Sequence, residues 1–296
     1  MLEFKKMTLE DIDILRDYFI CSKSRICDNT VGAAFMWRDY FDVEYAIYDE
    51  TVVFKANVIY HNNTIAFSLP LGKNIDNSLC EIEKYAAQNN MKLTFFNIIY
   101  EELSVLKKRF PNHETLFYRD WSDYLYRATD LSTLSGRRYS GQRNHINYFK
   151  REYSNHSFEE ITQENVADVL AFFRKLSRKL KKDSGAFLEE YKKVIEMLEN
   201  FNIYRLLGGL LRVNGDIIAF SLGEILNRVL FIHVEKADVS YRGAYQLINN
   251  EFAKHFVTAE VTYINREEDV GDEGLRTSKK SLHPCEIIDK YIFTVK

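Results

Sequence analysis

FKKMTLEDI, residues 4–12, returns as FEEITQENV at residues 158–166, matching without a gap at Phe4 and Phe158, Met7 and Ile161, Thr8 and Thr162, Glu10 and Glu164, and Ile12 and Val166. In each copy an apolar strand end runs into a threonine whose hydroxyl can cap the open amides of a helix. An acid follows in the first turn, where it complements the helix dipole. An apolar helical pattern comes next in both. A repeat of this kind marks a duplicated module.

The far ends of the two copies agree as well. KLTFFNI (92–98) leads to a helix bearing Leu103, Lys107 and Lys108, then to Pro111 and DYLYR (123–127). EVTYIN (260–265) leads to a helix bearing Leu275, Lys279 and Lys280, then to Pro284 and KYIFTV (290–295). Between these markers GGLLRV (208–213), a turn at Asn214-Gly215 and DIIAFSLGEI (216–225) predict a hairpin. VLFIHVEKA (229–237) adds a strand, and a helix over 245–255 is entered through Arg242 and Gly243. The first half has the same outline, with TVVFKANVIYHNNTIAFSL (51–69) turning at Asn62-Asn63. The predicted fold is α/β: two tandem modules, each a mixed, largely antiparallel sheet flanked by helices. Their expected bounds are 1–130 and 158–296, with a basic connector over 131–157.

Composition narrows the function. The 296 residues are 46% hydrophobic, with only 12 Gly and 3 Pro, which suits two compact domains rather than a disordered chain. A net charge of −3 gives no global field for nucleic acid or membrane, so any such site is local. Cys21, Cys27, Cys80 and Cys285 form no CxxC pair and no zinc spacing, so no metal is expected and a reducing cytoplasm fits. MLEFKKMTLEDIDIL interrupts its apolar residues with charge, so neither a signal peptide nor a membrane span is expected.

The connector GRRYSGQRNHINYFKR (136–151) holds five Arg or Lys and no acid. Arg137, Arg138, Arg143, Asn144, Asn147 and Lys150 are candidates for contact with phosphate or RNA, against the plainer reading of a solvated linker. A second basic run, Arg174 to Lys182, carries leucines at helical spacing and reads as an ordinary solvated face.

The second half resembles a GNAT-type acyltransferase module, and the duplication resembles the tandem modules of aminoacyl-tRNA-dependent transferases. RRYSGQRNHINYFK (137–150) together with YINREEDVGDEGLRTSKKSLHP (263–284) is similar to standalone bacterial proteins related to the catalytic C-terminal domain of phosphatidylglycerol lysyltransferases. The resemblance spans almost the whole chain. In GNAT proteins the turn before the central helix is rich in glycine so that its amides close on the pyrophosphate of coenzyme A. Here that turn is Tyr241-Arg242-Gly243-Ala244-Tyr245-Gln246-Leu247, and Tyr245 and Leu247 are expected to obstruct a pyrophosphate. The resemblance therefore implies an aminoacyl-tRNA donor before coenzyme A, no resident cofactor, and a small-molecule, peptide or lipid-like acceptor.

Such transfer needs a proton acceptor, and cations to hold the donor's phosphates. Asn265, Arg266 and Glu267 follow directly on an apolar strand and are candidates to line a cleft. Glu224 and His233, on neighbouring strands, are alternative bases, though a lone histidine is more often a satisfied core residue. Arg276 and Lys279 share a helix face fit for a carboxylate or phosphate; Lys279 is the residue the resemblance carries over as functional. Arg242 and Tyr245 complete the candidate binding set. The rival readings are an acyl-coenzyme A-dependent N-acyltransferase and a non-catalytic RNA- or phosphate-binding module.

Overall fold

The computed structural model describes residues 1–178 and 185–296, so Lys179, Lys181 and Lys182 of the second basic run lie outside the described residues. The chain forms two units: Met1–Asp123 with Ile288–Lys296, and Tyr124–Ile287.

The first unit contains β1 (Lys5–Lys6), α1 (Ile12–Cys21), α2 (Val31–Trp37), β2 (Glu44–Tyr48), β3 (Thr51–Val58), β4 (Thr64–Phe67), β5 (Leu71–Gly72), α3 (Ile75–Gln88), β6 (Thr94–Ile98), α4 (Tyr100–Arg109) and β7 (His113–Phe117). Then follow β8 (Asp123–Arg127), α5 (Ala128–Thr133), α6 (Ser140–Glu152), β9 (His156–Glu160), α7 (Val166–Ser177), α8 (Gly185–Glu199), α9 (Phe201–Tyr204), β10 (Leu207–Val213), β11 (Asp216–Leu226), β12 (Val229–Ala237), α10 (Ala244–Phe256), β13 (Tyr263–Asn265), α11 (Glu273–Ser281), β14 (Glu286–Ile288) and β15 (Tyr291–Val295).

One sheet runs β1-β2-β3-β4-β6-β15-β7, with β5 beside β3; the other runs β9-β10-β11-β12-β13-β8-β14. Read strand for strand, the two orders match. Each opens with an antiparallel meander, has one parallel pair (β4 with β6, β12 with β13), and then takes an antiparallel strand from elsewhere in the chain. The duplication extends to single bonds: the Thr8 amide donates to Asp11 and the Thr162 amide to Asn165, both at 2.8 Å. In each copy the side chain three residues on satisfies the threonine's amide, and in the second the Thr162 hydroxyl accepts the Glu164 amide at 3.3 Å, as the sequence suggested.

The expected domain bounds need correction here. DYLYR, the end of the first copy, is the β8 strand of the second sheet, and YIFTV, the end of the second copy, is the β15 strand of the first. Both are apolar strands that need two neighbours to pair their backbone groups. β15 finds them in β6 and β7. Neither 1–130 nor 158–296 therefore holds its own sheet.

Burial explains the rest. In the first unit Ala46, Val53, Phe67, Phe95 and Phe293 pack on Leu79 and Ile82 of α3 and on Leu103 and Leu106 of α4. In the second, Leu230, Ile232 and Ile264 pack on Phe252 and Ala253 of α10. Both hairpin turns fall where expected: Asn62-Asn63 and Asn214-Gly215 take left-handed backbone at both positions, as tight hairpins require. No helix among the described residues is long and apolar enough to cross a membrane.

Candidate functional site

The site lies in the second unit, where β12 and β13 stop pairing. These parallel strands are in register only from Val229 with Tyr263 to Phe231 with Asn265, while β12 runs on to Ala237. At that point β12 also breaks step with β11. Leu222 faces Val234 and Gly223 faces Ile232, so His233 is the extra residue of a β-bulge, a device that re-aims a side chain. Gly223 is required opposite it, because a Cβ there would stand 2.2 Å from the Phe231 carbonyl oxygen.

The bulge delivers His233 between two carboxylates. Its Nε2 donates to Glu224 Oε1 at 3.0 Å and its Nδ1 to Glu267 Oε1 at 2.8 Å. The imidazole has no exposed surface, Glu224 little, and Glu267 the most of the three at 15%. Burial works against a charged ring, but the bonds to Glu224 and Glu267 outweigh it and raise the His233 pKa to about 9. At neutral pH His233 is thus an imidazolium that donates from both nitrogens. The expectation that it serves as a base is corrected: the basic atoms of this group are carboxylate oxygens.

Glu267 comes from a seven-residue loop, 266–272, held by several independent ties. Asn265, fully buried, accepts the Glu267 amide at 2.7 Å, and the Tyr124 amide donates to the Glu267 carbonyl. Lys279 Nζ, buried, donates to the carbonyls of Arg266 and Glu268. Arg276 forks onto Asp269 at 2.7 and 3.0 Å, and Tyr124 Oη donates to the same carboxylate at 2.7 Å. Burial disfavours that carboxylate, yet the bonds from Arg276, Tyr124 and the Gly271 amide prevail and hold its pKa at about 2. The loop stores strain in return: Glu267 and Val270 have φ of 58° and 46°, the latter at a β-branched residue, and such positions cost of order 1–3 kcal/mol. Lys279 and Arg276 are thereby reassigned. Their cations hold the loop rather than stand ready for a phosphate.

Arg266 does not join His233. It forms an ion pair with Glu235, at 2.9 Å between Nη2 and Oε1, and Glu235 also accepts from Asn249 of α10. Arg266 and Glu235 therefore lie on the α10 side of the sheet. Phe220 meets Phe172 and Phe173 of α7, and Glu224, four residues along the same strand, shares that side by strand alternation. The expected set is split by the sheet: Glu224, His233 and Glu267 on one side, Arg266 on the other.

The connector set also divides. Arg143 donates to the carbonyls of Leu134 and Gly136, closing the end of α5; Arg138 pairs with Asp130 at 2.7 Å and Lys150 with Glu251 at 3.1 Å. Arg137, Asn144 and Asn147 are exposed. At the α10 entrance Leu247 is fully buried in the core, so it does not obstruct the turn as expected, whereas Tyr245 and Arg242 are at the surface. What crowds the turn is α6: a Cβ on Gly243, at φ 94°, would stand 2.6 Å from the His145 carbonyl oxygen and 3.1 Å from Phe149. This glycine lets a helix backbone approach. Sequence reasoning missed Glu235, Asn249, Asp269 and Tyr124; strict alternation along β12 puts Glu235 on the face opposite Leu230 and Ile232, and only the bulge at His233 brings it to the α10 side.

Two mixed sheets of one strand order, flanked by helices, make this a tandem GNAT-like α/β protein. The chain belongs to the family described as phosphatidylglycerol lysyltransferase, C-terminal, whose pattern matches residues 21–294. A conserved protein of unknown function from Bacteroides thetaiotaomicron is 32% identical, with both chains covered in full and a TM-score of 0.91. The C-terminal domain of a putative lysylphosphatidylglycerol synthetase from Agrobacterium fabrum shares the fold at 15% identity and a TM-score of 0.68, over 97% of this chain and 92% of that one. A protein of Mycoplasmoides gallisepticum described as uncharacterised is 27% identical over 184 residues, 61% of this chain and 58% of that protein, so the chain spans less than two thirds of that relative's length.

Proposed function

We propose that the protein is an aminoacyltransferase that moves an aminoacyl group from charged tRNA to an amine or hydroxyl of a small-molecule, peptide or lipid-like acceptor, with its chemistry at Glu267. The observation that carries this reading, alongside membership of a lysyltransferase family, is the bulge that sets a buried imidazolium between Glu224 and Glu267 where β12 and β13 part. Glu267 is the most exposed member and uses Oε1 for His233, leaving Oε2 to take a proton from the acceptor. The nucleophile then adds to the ester carbonyl, the ester carbon–oxygen bond to the tRNA ribose breaks, and the ribose oxygen leaves with the proton that Glu267 had taken. His233 fixes the direction of the Glu267 carboxylate throughout. The close approach of α6 at Gly243 supports an aminoacyl-tRNA donor over coenzyme A, since it removes room where a diphosphate would approach the helix entrance.

Incubation of the protein with a set of charged tRNAs and candidate acceptors tests the reading. Deacylation matched by labelled acceptor is the expected result. Binding and turnover of acyl-coenzyme A, with charged tRNA untouched, would overturn it.

A further inference from the structure

Helix α6 turns outward a face that the candidate site does not use. Ile146 and Phe149 are buried with Ala244 and Leu247 of α10, so residues 144, 147, 148 and 151, spaced three and four apart, share the opposite side. Asn144, Asn147 and Arg151 are exposed and Tyr148 is half-buried. The Arg242 guanidinium, from the turn leading into α10, lies 4.8 Å from the centre of the Tyr148 ring, and Arg151 approaches the same ring at 5.7 Å. Beside them the Tyr153 and Tyr241 rings pack at 5.1 Å. The one acid of α6, Glu152, stands at its last position.

We infer that this face, Asn144, Asn147, Tyr148 and Arg151 with Arg242, binds the RNA of the tRNA donor; the inference rests on the function proposed above. Two guanidinium groups beside one tyrosine ring suit a phosphate backbone with an unpaired base stacked nearby. The asparagine amides, which donate and accept, suit a ribose 2′-hydroxyl or a base edge. An anionic lipid surface would satisfy the charge, but these positions offer no aliphatic side chain or tryptophan to enter an interface. The stripe also explains two asparagines at helix positions where their low propensity is a cost.

Fluorescence anisotropy with a labelled, unacylated tRNA measures the contact, comparing wild type with the Arg151→Gln/Arg242→Gln double variant and with Tyr148→Ala, each checked for an unchanged melting curve. The double variant is expected to bind roughly tenfold more weakly at low salt, with a salt dependence shallower by about one to two ions. Tyr148→Ala loses affinity with the salt dependence kept. Variants that bind tRNA as wild type does, while wild type transfers aminoacyl groups, would remove this surface and leave the proposed function standing. Wild type that binds no tRNA overturns both, and binding to phosphatidylglycerol vesicles that the double variant alone loses would reassign the face to a membrane.

Discussion

The two units share a strand order and differ where chemistry would sit. In the first, β3 and β4 pair without a shift of register, the parallel pair brings Phe67 against Phe95, and β6 passes to α4 through the single residue Ile99. In the second, the matching strands carry a bulge at His233, and β13 reaches α11 through seven residues, 266–272, three of them in left-handed backbone, Glu267, Val270 and Gly271. At this one place the shared fold thus carries apolar side chains in one copy and a buried charge cluster in the other. The difference comes from one extra strand residue and one longer loop, not from a new architecture.

The largest effect should come from what the copies share. Deleting residues 289–296 removes β15 from between β6 and β7 and takes Phe293 out of the first core. The first unit should then lose cooperative unfolding, with the amides of β6 and β7 exchanging with solvent unprotected; protected amides there would show that the first copy closes its own sheet.

A paired substitution sharpens the contrast. Lys107 and Lys279 occupy matching places in the repeat, but Lys107 is exposed and Lys279 is buried on two loop carbonyls. Lys279→Ala should cost about 2–4 kcal/mol in a denaturant titration, because it leaves buried carbonyls unpaired. Lys107→Ala should stay within about 0.5 kcal/mol. Equal losses would mean that both lysines serve only their helix ends.

The charge cluster adds a pH dependence that the first unit lacks a counterpart for at Phe67 and Phe95. The folded pKa of His233, about 9, lies above the ordinary histidine value of about 6.5. Its contribution is therefore complete below about pH 6.5 and is lost as pH rises through 9, a change of order 3 kcal/mol. Denaturation midpoints across that range should fall in wild type and flatten in Glu224→Gln; a flat wild-type profile would contradict a charged imidazole.

Much of the fold was legible because it rests on local signals: the repeated strand-to-helix caps, the Asn-Asn and Asn-Gly turns, and the periodicity around Leu103 and Leu275. The reciprocal placing of β8 and β15 was not, since DYLYR and YIFTV are equally good strands for either sheet and only long-range pairing decides. For the site, Glu224, His233 and Glu267 were each named from their strands and loop, but their union depends on a register shift that leaves no mark in the alternation of VLFIHVEKA. The basic residues misled for a related reason. Arg143, Lys279 and Arg276 look like ligand cations in sequence, yet their partners are carbonyls and a carboxylate that folding brings to them.

The most direct test is single-turnover transfer from charged tRNA by wild type and by Glu267→Gln, both shown to be folded. Wild type should transfer the aminoacyl group and the variant should do so slower by about a hundredfold or more, as loss of a positioned proton acceptor implies. A variant as fast as wild type would contradict the assignment of the chemistry to the bulged copy.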